Sequence, residues 1–147
     1  MLKSAGLTGR SDNRVDLKGR LNIPSSMRKI LAPNEYDEVA VVFFPAGYLL
    51  LFNKEYWSNT IQQSIIDSAK TNKWRAIARL SENSHMSTVD SQGRITIPSR
   101  LLKAAGINSE AVVIGAFDRV FVWAPEKYNS WMQEEDIDSA ISEIGIF

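Results

Sequence analysis

Polar and apolar residues alternate along residues 20–23 as Arg-Leu-Asn-Ile, and again along residues 94–97 as Arg-Ile-Thr-Ile. A period of two marks a strand with one face on a core and the other in water. Leu21, Ile23, Ile95 and Ile97 are therefore predicted to point inward, and Arg20, Asn22, Arg94 and Thr96 outward. Pro24 and Pro98 end these strands and open helices, because proline cannot donate to a sheet ladder but is tolerated in a first helical turn. Met27, Ile30 and Leu31 form one apolar helical stripe; Leu101, Leu102 and Ala105 form its twin, with Gly106 as the residue just past the end. Apolar runs at 39–44 and 48–52, separated by Pro45-Ala46-Gly47, predict a strand pair, and 111–114 with 120–123 predict another around Asp118-Arg119. Asn53 is placed to cap a helix carrying Tyr56, Trp57, Ile61, Ile65 and Ala69. Pro125 opens a helix with Tyr128, Trp131 and Met132 that is expected to continue through Ile137, Ile141 and Ile144. Residues 72–81 predict a connecting helix with Trp74, Ile77 and Ala78 at helical spacing, and residues 1–13 a loop or short edge strand. These aromatics fall on faces that look buried, so they are read as core packing rather than as a platform for stacked bases.

The two alternating strands belong to a longer repeat. Val15-Asp16-Leu17-Lys18-Gly19-Arg20-Leu21-Asn22-Ile23-Pro24-Ser25 returns 74 positions later as Val89-Asp90-Ser91-Gln92-Gly93-Arg94-Ile95-Thr96-Ile97-Pro98-Ser99, with seven of eleven positions identical. The chain reads as a tandem duplication. Two units of this size in 147 residues are each marginal alone and are expected to share one core. In both copies a glycine able to take positive φ precedes the strand, and an aspartate three residues earlier can accept backbone N–H bonds across the turn. Gly and Asp explain a turn, whereas turn formation makes no evident demand for arginine at the next, outward position. An outward guanidinium suits phosphate or the O6/N7 edge of guanine. Lys18 and Gln92 add a cation and an amide at the loop tips, and Arg14, Arg28, Lys29, Arg100 and Lys103 are candidate phosphate contacts around them.

Charge placement agrees with this. The formal net charge is zero, yet residues 1–29 and 70–103 each carry seven basic side chains against two acidic, and residues 126–147 carry one against six. Each basic block holds one copy of the repeat. The acidic run Glu134-Glu135-Asp136-Ile137-Asp138 is expected to be a solvated helix face, or else to mask the basic loops or meet a neighbouring subunit. No cysteine is present, which removes disulfides and thiolate chemistry and fits a reducing compartment. No signal peptide or membrane span is expected, because the longest apolar stretches are strand-sized.

The two motifs, each running into a proline-started helix, resemble those of the MraZ family, bacterial regulators of the division and cell-wall gene cluster related to the AbrB swapped-hairpin fold. Gly9, seven residues before Asp16, also matches, as do Leu102-Lys103-Ala104-Ala105-Gly106-Ile107 and Gly115-Ala116-Phe117. Two positions depart from the family pattern. Trp74-Arg75 stands where the linking helix tends to carry Arg-Arg, and Phe121 where an acidic residue is usual; both bear on subunit contacts more than on the loops. The resemblance implies an α+β fold with a mainly β core, a pseudo-two-fold double swapped-hairpin β-barrel with flanking helices. Residues 1–70 would form the first repeat, 71–83 the linking helix and 84–147 the second repeat. It further implies a ring of several subunits, cytoplasmic and nucleoid-associated, whose loops engage direct repeats in double-stranded promoter DNA. Carried onto this chain, the DNA-contacting set is Arg14, Lys18, Arg20, Asn22, Gln92, Arg94 and Thr96, with Asp16, Gly19, Asp90 and Gly93 structuring the loops.

Two rival readings stand beside it. An enzyme is poorly served: His85 is the sole histidine, no Gly-x-Ser-x-Gly or comparable nucleophile context occurs, and scattered carboxylates make no metal set. No catalytic residue, metal or cofactor is expected. The other rival is an AbrB-like antitoxin or protein-interaction module that grips a protein partner through its C-terminal helix.

Overall fold

The structure, a computed structural model, describes residues 6–68 and 72–146. In chain order it contains β1 (Arg10–Arg14), β2 (Arg20–Asn22), α1 (Ser25–Leu31), β3 (Glu38–Phe44), β4 (Tyr48–Asn53) and α2 (Lys54–Tyr56). A π-helical stretch, Trp57–Ile61, carries α2 into α3 (Gln62–Ser68). Then come α4 (Trp74–Glu82), β5 (Ser84–Thr88), β6 (Arg94–Thr96), α5 (Ser99–Ala104), β7 (Glu110–Gly115), β8 (Val120–Trp123), α6 (Pro125–Met132) and α7 (Ile137–Glu143).

Six strands form one antiparallel sheet in the order β1-β7-β8-β4-β3-β5, and β2 pairs with β6 in a separate two-stranded ribbon. The predicted hairpins β3–β4 and β7–β8 lie side by side, joined through Leu49↔Val122 and Leu51↔Val120. The leading strand of each half pairs with the other half's hairpin: β1 with β7, and β5 with β3. Neither half builds the sheet alone, and the main core draws on both. It combines Leu21 and Ile95 of the ribbon, Val39, Val41, Leu49, Leu51, Val113 and Val122 of the sheet, and Met27, Leu31 and Leu101 of α1 and α5, with Ala105 just past α5.

The apolar runs in β3 and β4 are continuous because both faces of the sheet are covered. Val39 and Val41 face the main core, whereas Ala40 and Val42 pack with Leu50, Phe52 and Trp57 under the helices that follow β4. Val112, Trp123 and Tyr128 make a third cluster under α6, with Phe121 and Trp131 against it. Phe121 stands 5.0 Å from the Tyr48 ring and 5.7 Å from Trp131.

Several expectations change. Pro24 and Pro98 sit one residue earlier than predicted, as N-caps with extended φ and ψ, and their carbonyls accept the first helical N–H groups. The helix opened by Pro125 does not run through to Ile144. It stops at Met132, and Asp136 begins α7 by accepting the Ser139 N–H. Glu134 and Glu135 therefore occupy an exposed connection, not a helix face. Trp74 is not core but 63% exposed, and Ala69, expected on the helix after Asn53, lies outside the described residues. Gly106 does end α5, at φ +68, where its N–H meets Lys103 O and the Ile107 N–H meets Leu102 O, the paired bonds of a Schellman ending.

Asn53 links two elements distant in sequence. Its buried side chain accepts the Tyr56 N–H at 3.1 Å and donates to Ile30 O and Leu31 O at 3.1 and 3.2 Å. Asn53→Ala removes a cap and leaves buried carbonyls short of a donor, so urea unfolding is expected to show a loss of ~2 kcal/mol.

Candidate functional site

The two Asp-x-x-Gly-Arg segments fold into turns with the same bonds. Asp16 O accepts the Gly19 N–H at 2.9 Å, and Asp90 O accepts that of Gly93 at 3.0 Å. Asp16 Oδ1 accepts the Lys18 and Arg20 N–H groups at 2.9 Å each, and Asp90 Oδ1 accepts those of Gln92 and Arg94 at the same distance. The glycines sit at φ +80 and +79, a backbone region that other residues reach only with strain.

Each turn is also held by the other half. Ile97 N–H donates to Gly19 O at 2.8 Å, and Ile23 N–H to Gly93 O at 3.0 Å. The approach is close enough that a Cβ on Gly19 would lie 2.5 Å from Ile97 O. Between these braces β2 and β6 pair as Arg20↔Thr96, Leu21↔Ile95 and Asn22↔Arg94. Directly opposed residues share a face. Leu21 and Ile95 are fully buried, so Arg20, Asn22, Arg94 and Thr96 form one outward patch. The two arginines lie diagonally, about 7 Å apart along the strands, with Lys18 and Gln92 exposed on turns at opposite ends of the ribbon.

The arginines do more than face solvent. Arg20 Nε donates to Asp16 Oδ2 at 2.6 Å and Arg94 Nε to Asp90 Oδ2 at 2.9 Å, so arginine is a working part of the turn, contrary to the sequence-based expectation. Their side chains remain 32% and 26% exposed, and among the described residues their Nη groups have no hydrogen-bond partner. Each guanidinium is thus anchored by one edge with its outer edge available. The Arg20 and Arg94 backbone N–H groups, ahead of the guanidinium bonds and the N–H groups of Lys18 and Gln92, hold both carboxyls below their ordinary range against the opposing effect of desolvation.

Of the other candidates, Arg14 is not brought to the ribbon. It stands opposite Glu110 in the β1–β7 register and lines a cleft with Arg10, Glu110 and Pro125 on the α6 side of the sheet. Arg100 is engaged with Asn83 Oδ1 and Glu82 O at the end of α4. Lys29 and Lys103 are exposed on α1 and α5. Two supporting residues were not anticipated. Asn13 Nδ2 donates to Asn22 O, and Ser87 Oγ both donates to Thr96 O and accepts the Thr96 N–H at 3.0 Å. Asn13 and Ser87 occupy equivalent places in the repeat, so extending its register two residues upstream would have revealed them. Among the described residues, no three His, Asp or Glu side chains are grouped to hold a metal, and no helix is long and apolar enough to cross a membrane.

Residues 82–143 match the profile of a family described as "MraZ protein, putative antitoxin-like". Similar proteins named Transcriptional regulator MraZ occur in Desulfosudis oleivorans (31% identity, covering 94% of this chain and 98% of the relative) and Bacteroides fragilis (30%, 92% and 89%). Another, from Dictyoglomus thermophilum, is 33% identical over 88% of this chain and 87% of the relative.

Because both aspartates are held as anions, they stabilise the turns above the ordinary carboxylate pKa, and that contribution is lost as pH falls through their lowered folded values. Carboxyl NMR titration is expected to show Asp16 and Asp90 with midpoints below the usual aspartate range, followed by loss of the Arg20 and Arg94 Nε–H signals. Midpoints at the ordinary value would contradict the turn geometry.

Proposed function

Since this chain belongs to the MraZ family of transcriptional regulators, we propose that it is a sequence-specific regulator whose β2–β6 ribbon contacts double-stranded DNA. Its contact residues are Lys18, Arg20, Asn22, Gln92, Arg94 and Thr96, and its loop-structuring residues are Asp16, Gly19, Asp90 and Gly93. The observation that carries this reading is the outward patch, where two Asp-anchored guanidinium groups share one face of a short braced ribbon. Preorganised arginines lose little freedom when they engage phosphate or a guanine edge. Arg14 is left out because it faces the α6 side.

In this reading residues 1–70 and 84–147 are two swapped-hairpin repeats sharing one pseudo-two-fold barrel core, with 71–83 linking them. A single ribbon neutralises few phosphates and binds weakly at physiological salt. Several ribbons on one particle raise the effective concentration of each for the next, which is what a ring of subunits on direct repeats achieves. The targets are promoters of the division and cell-wall gene cluster, reached in the cytoplasm at the nucleoid.

A second reading, an antitoxin-like module that holds a protein partner, is favoured by α7, where Ile141 and nearby Ile144 are 43% and 66% exposed. The two separate on one comparison. Arg20→Ala with Arg94→Ala is expected to abolish gel-shift binding to DNA from upstream of the protein's own gene while oligomer size by light scattering stays unchanged. Binding that survives with an unaltered salt slope would remove the ribbon from the contact surface.

A further inference from the structure

The two turns differ in charge at their tips. Lys18 in the first is matched by Gln92 in the second, and Leu17 by Ser91. The second turn, however, receives a cation from the other half of the chain. A Cβ built on Gly93 would lie 1.9 Å from Arg28 Nη1 and 2.8 Å from its Cζ, so one corner of this guanidinium occupies the space a side chain would fill. At the first turn the corresponding neighbour of Gly19 is Leu102 Cδ1, at 3.4 Å. Arg28 and Leu102 hold equivalent positions in the repeat, on α1 and α5. Gly93 is required for its positive φ, and its missing side chain leaves the space in which the Arg28 guanidinium sits.

Among the described residues the Arg28 side chain has a single hydrogen bond. Its Nη1 reaches only Ile23 O, at a long 3.4 Å, and Ile23 is the residue whose N–H holds Gly93 O. Among the described residues no carboxylate comes within ion-pairing distance of it, and the carboxylate of the nearby turn, Asp90, is taken by Arg94. Arg28 is intermediate in exposure, its other nitrogens are not buried, and no counter-charge holds it. Its guanidinium is therefore open to an anion arriving at the second turn.

We propose that Arg28 binds a DNA phosphate at the second turn, supplying from the first half of the chain the cation that Gln92 does not. The inference rests on the DNA-binding reading above. It makes each turn carry one arginine on the ribbon and one further cation beside it, Lys18 for the first and Arg28 for the second, drawn from different halves. Arg28 is assigned to phosphate rather than to a base because its partner Ile23 O ties it beside the turn and it has no place among the outward residues of the ribbon.

The test compares wild type with Arg28→Leu, which places at position 28 the residue type already tolerated at Leu102, and with Arg28→Lys, on two duplexes. One comes from upstream of the protein's own gene and the other is a scrambled duplex of equal length. Arg28→Leu is expected to weaken both by a similar factor, roughly threefold to tenfold, and to make the salt slope shallower by about 0.9 for each subunit engaged. Arg28→Lys is expected to restore the slope. A thermal melt checks that the variant is folded, and Arg28→Gln, whose amide keeps a donor for Ile23 O, carries the same expectation if Arg28→Leu is not. A variant with wild-type affinity and slope overturns the assignment, as does a loss confined to the specific duplex at constant slope. If wild type itself shows no salt-dependent binding, or binding survives loss of Arg20 and Arg94, the parent reading has failed instead.

Discussion

The structure depends on a reciprocal brace between two glycine carbonyls and two isoleucine N–H groups. Gly19 O is held by Ile97 and Gly93 O by Ile23, so neither turn is complete until the other half of the chain has folded against it. The braces bracket a ribbon whose inner residues, Leu21 and Ile95, sit wholly inside the main core. Exposed turns are usually among the more mobile parts of a protein. Here they are fastened to the best-packed part of it, and the side chains they present inherit that rigidity.

Electrostatics and local geometry act together in these turns. Each aspartate spends one oxygen on two backbone N–H groups and the other on the arginine four residues on, which sets both the backbone and the direction of the guanidinium. Such exposed ion pairs contribute little to global stability. Their effect is to restrict where a positive charge can be. The chain's zero formal charge is therefore a poor guide to its surface, since residues 1–29 and 70–103 are each rich in basic side chains and 126–147 in acidic ones.

The helical layers show how the same sheet serves two purposes. Its inner face and the ribbon enclose the shared core, while its outer face is covered by the helices following β4 and β8 through the clusters around Trp57 and Trp123. Phe121 is absorbed by the second of these clusters, which accounts for its apolar character within a single chain. Trp74 and the isoleucines of α7 are not absorbed and stay exposed.

Much was legible in the residues alone, wherever the cause was local. Alternation around Leu21 and Ile95 set the inward and outward faces, Asp and Gly set the turns, Asn53 and Gly106 set helix ends, and the apolar runs set both hairpins. Each rests on the geometry of a few consecutive residues, and the turn signal occurs twice in the sequence. What only tertiary structure decided were relations between distant residues: the pairing of β2 with β6 that unites Arg20 and Arg94, the diversion of Arg14 to the α6 side, the engagement of Arg100 with α4, and the seating of Arg28 on Gly93. The capping of α7 by Asp136 was local, but the apolar periodicity on either side of it hid the break. A one-dimensional pattern records which face a residue prefers, whereas the partner across a core depends on strand order and register, which no short window of sequence contains.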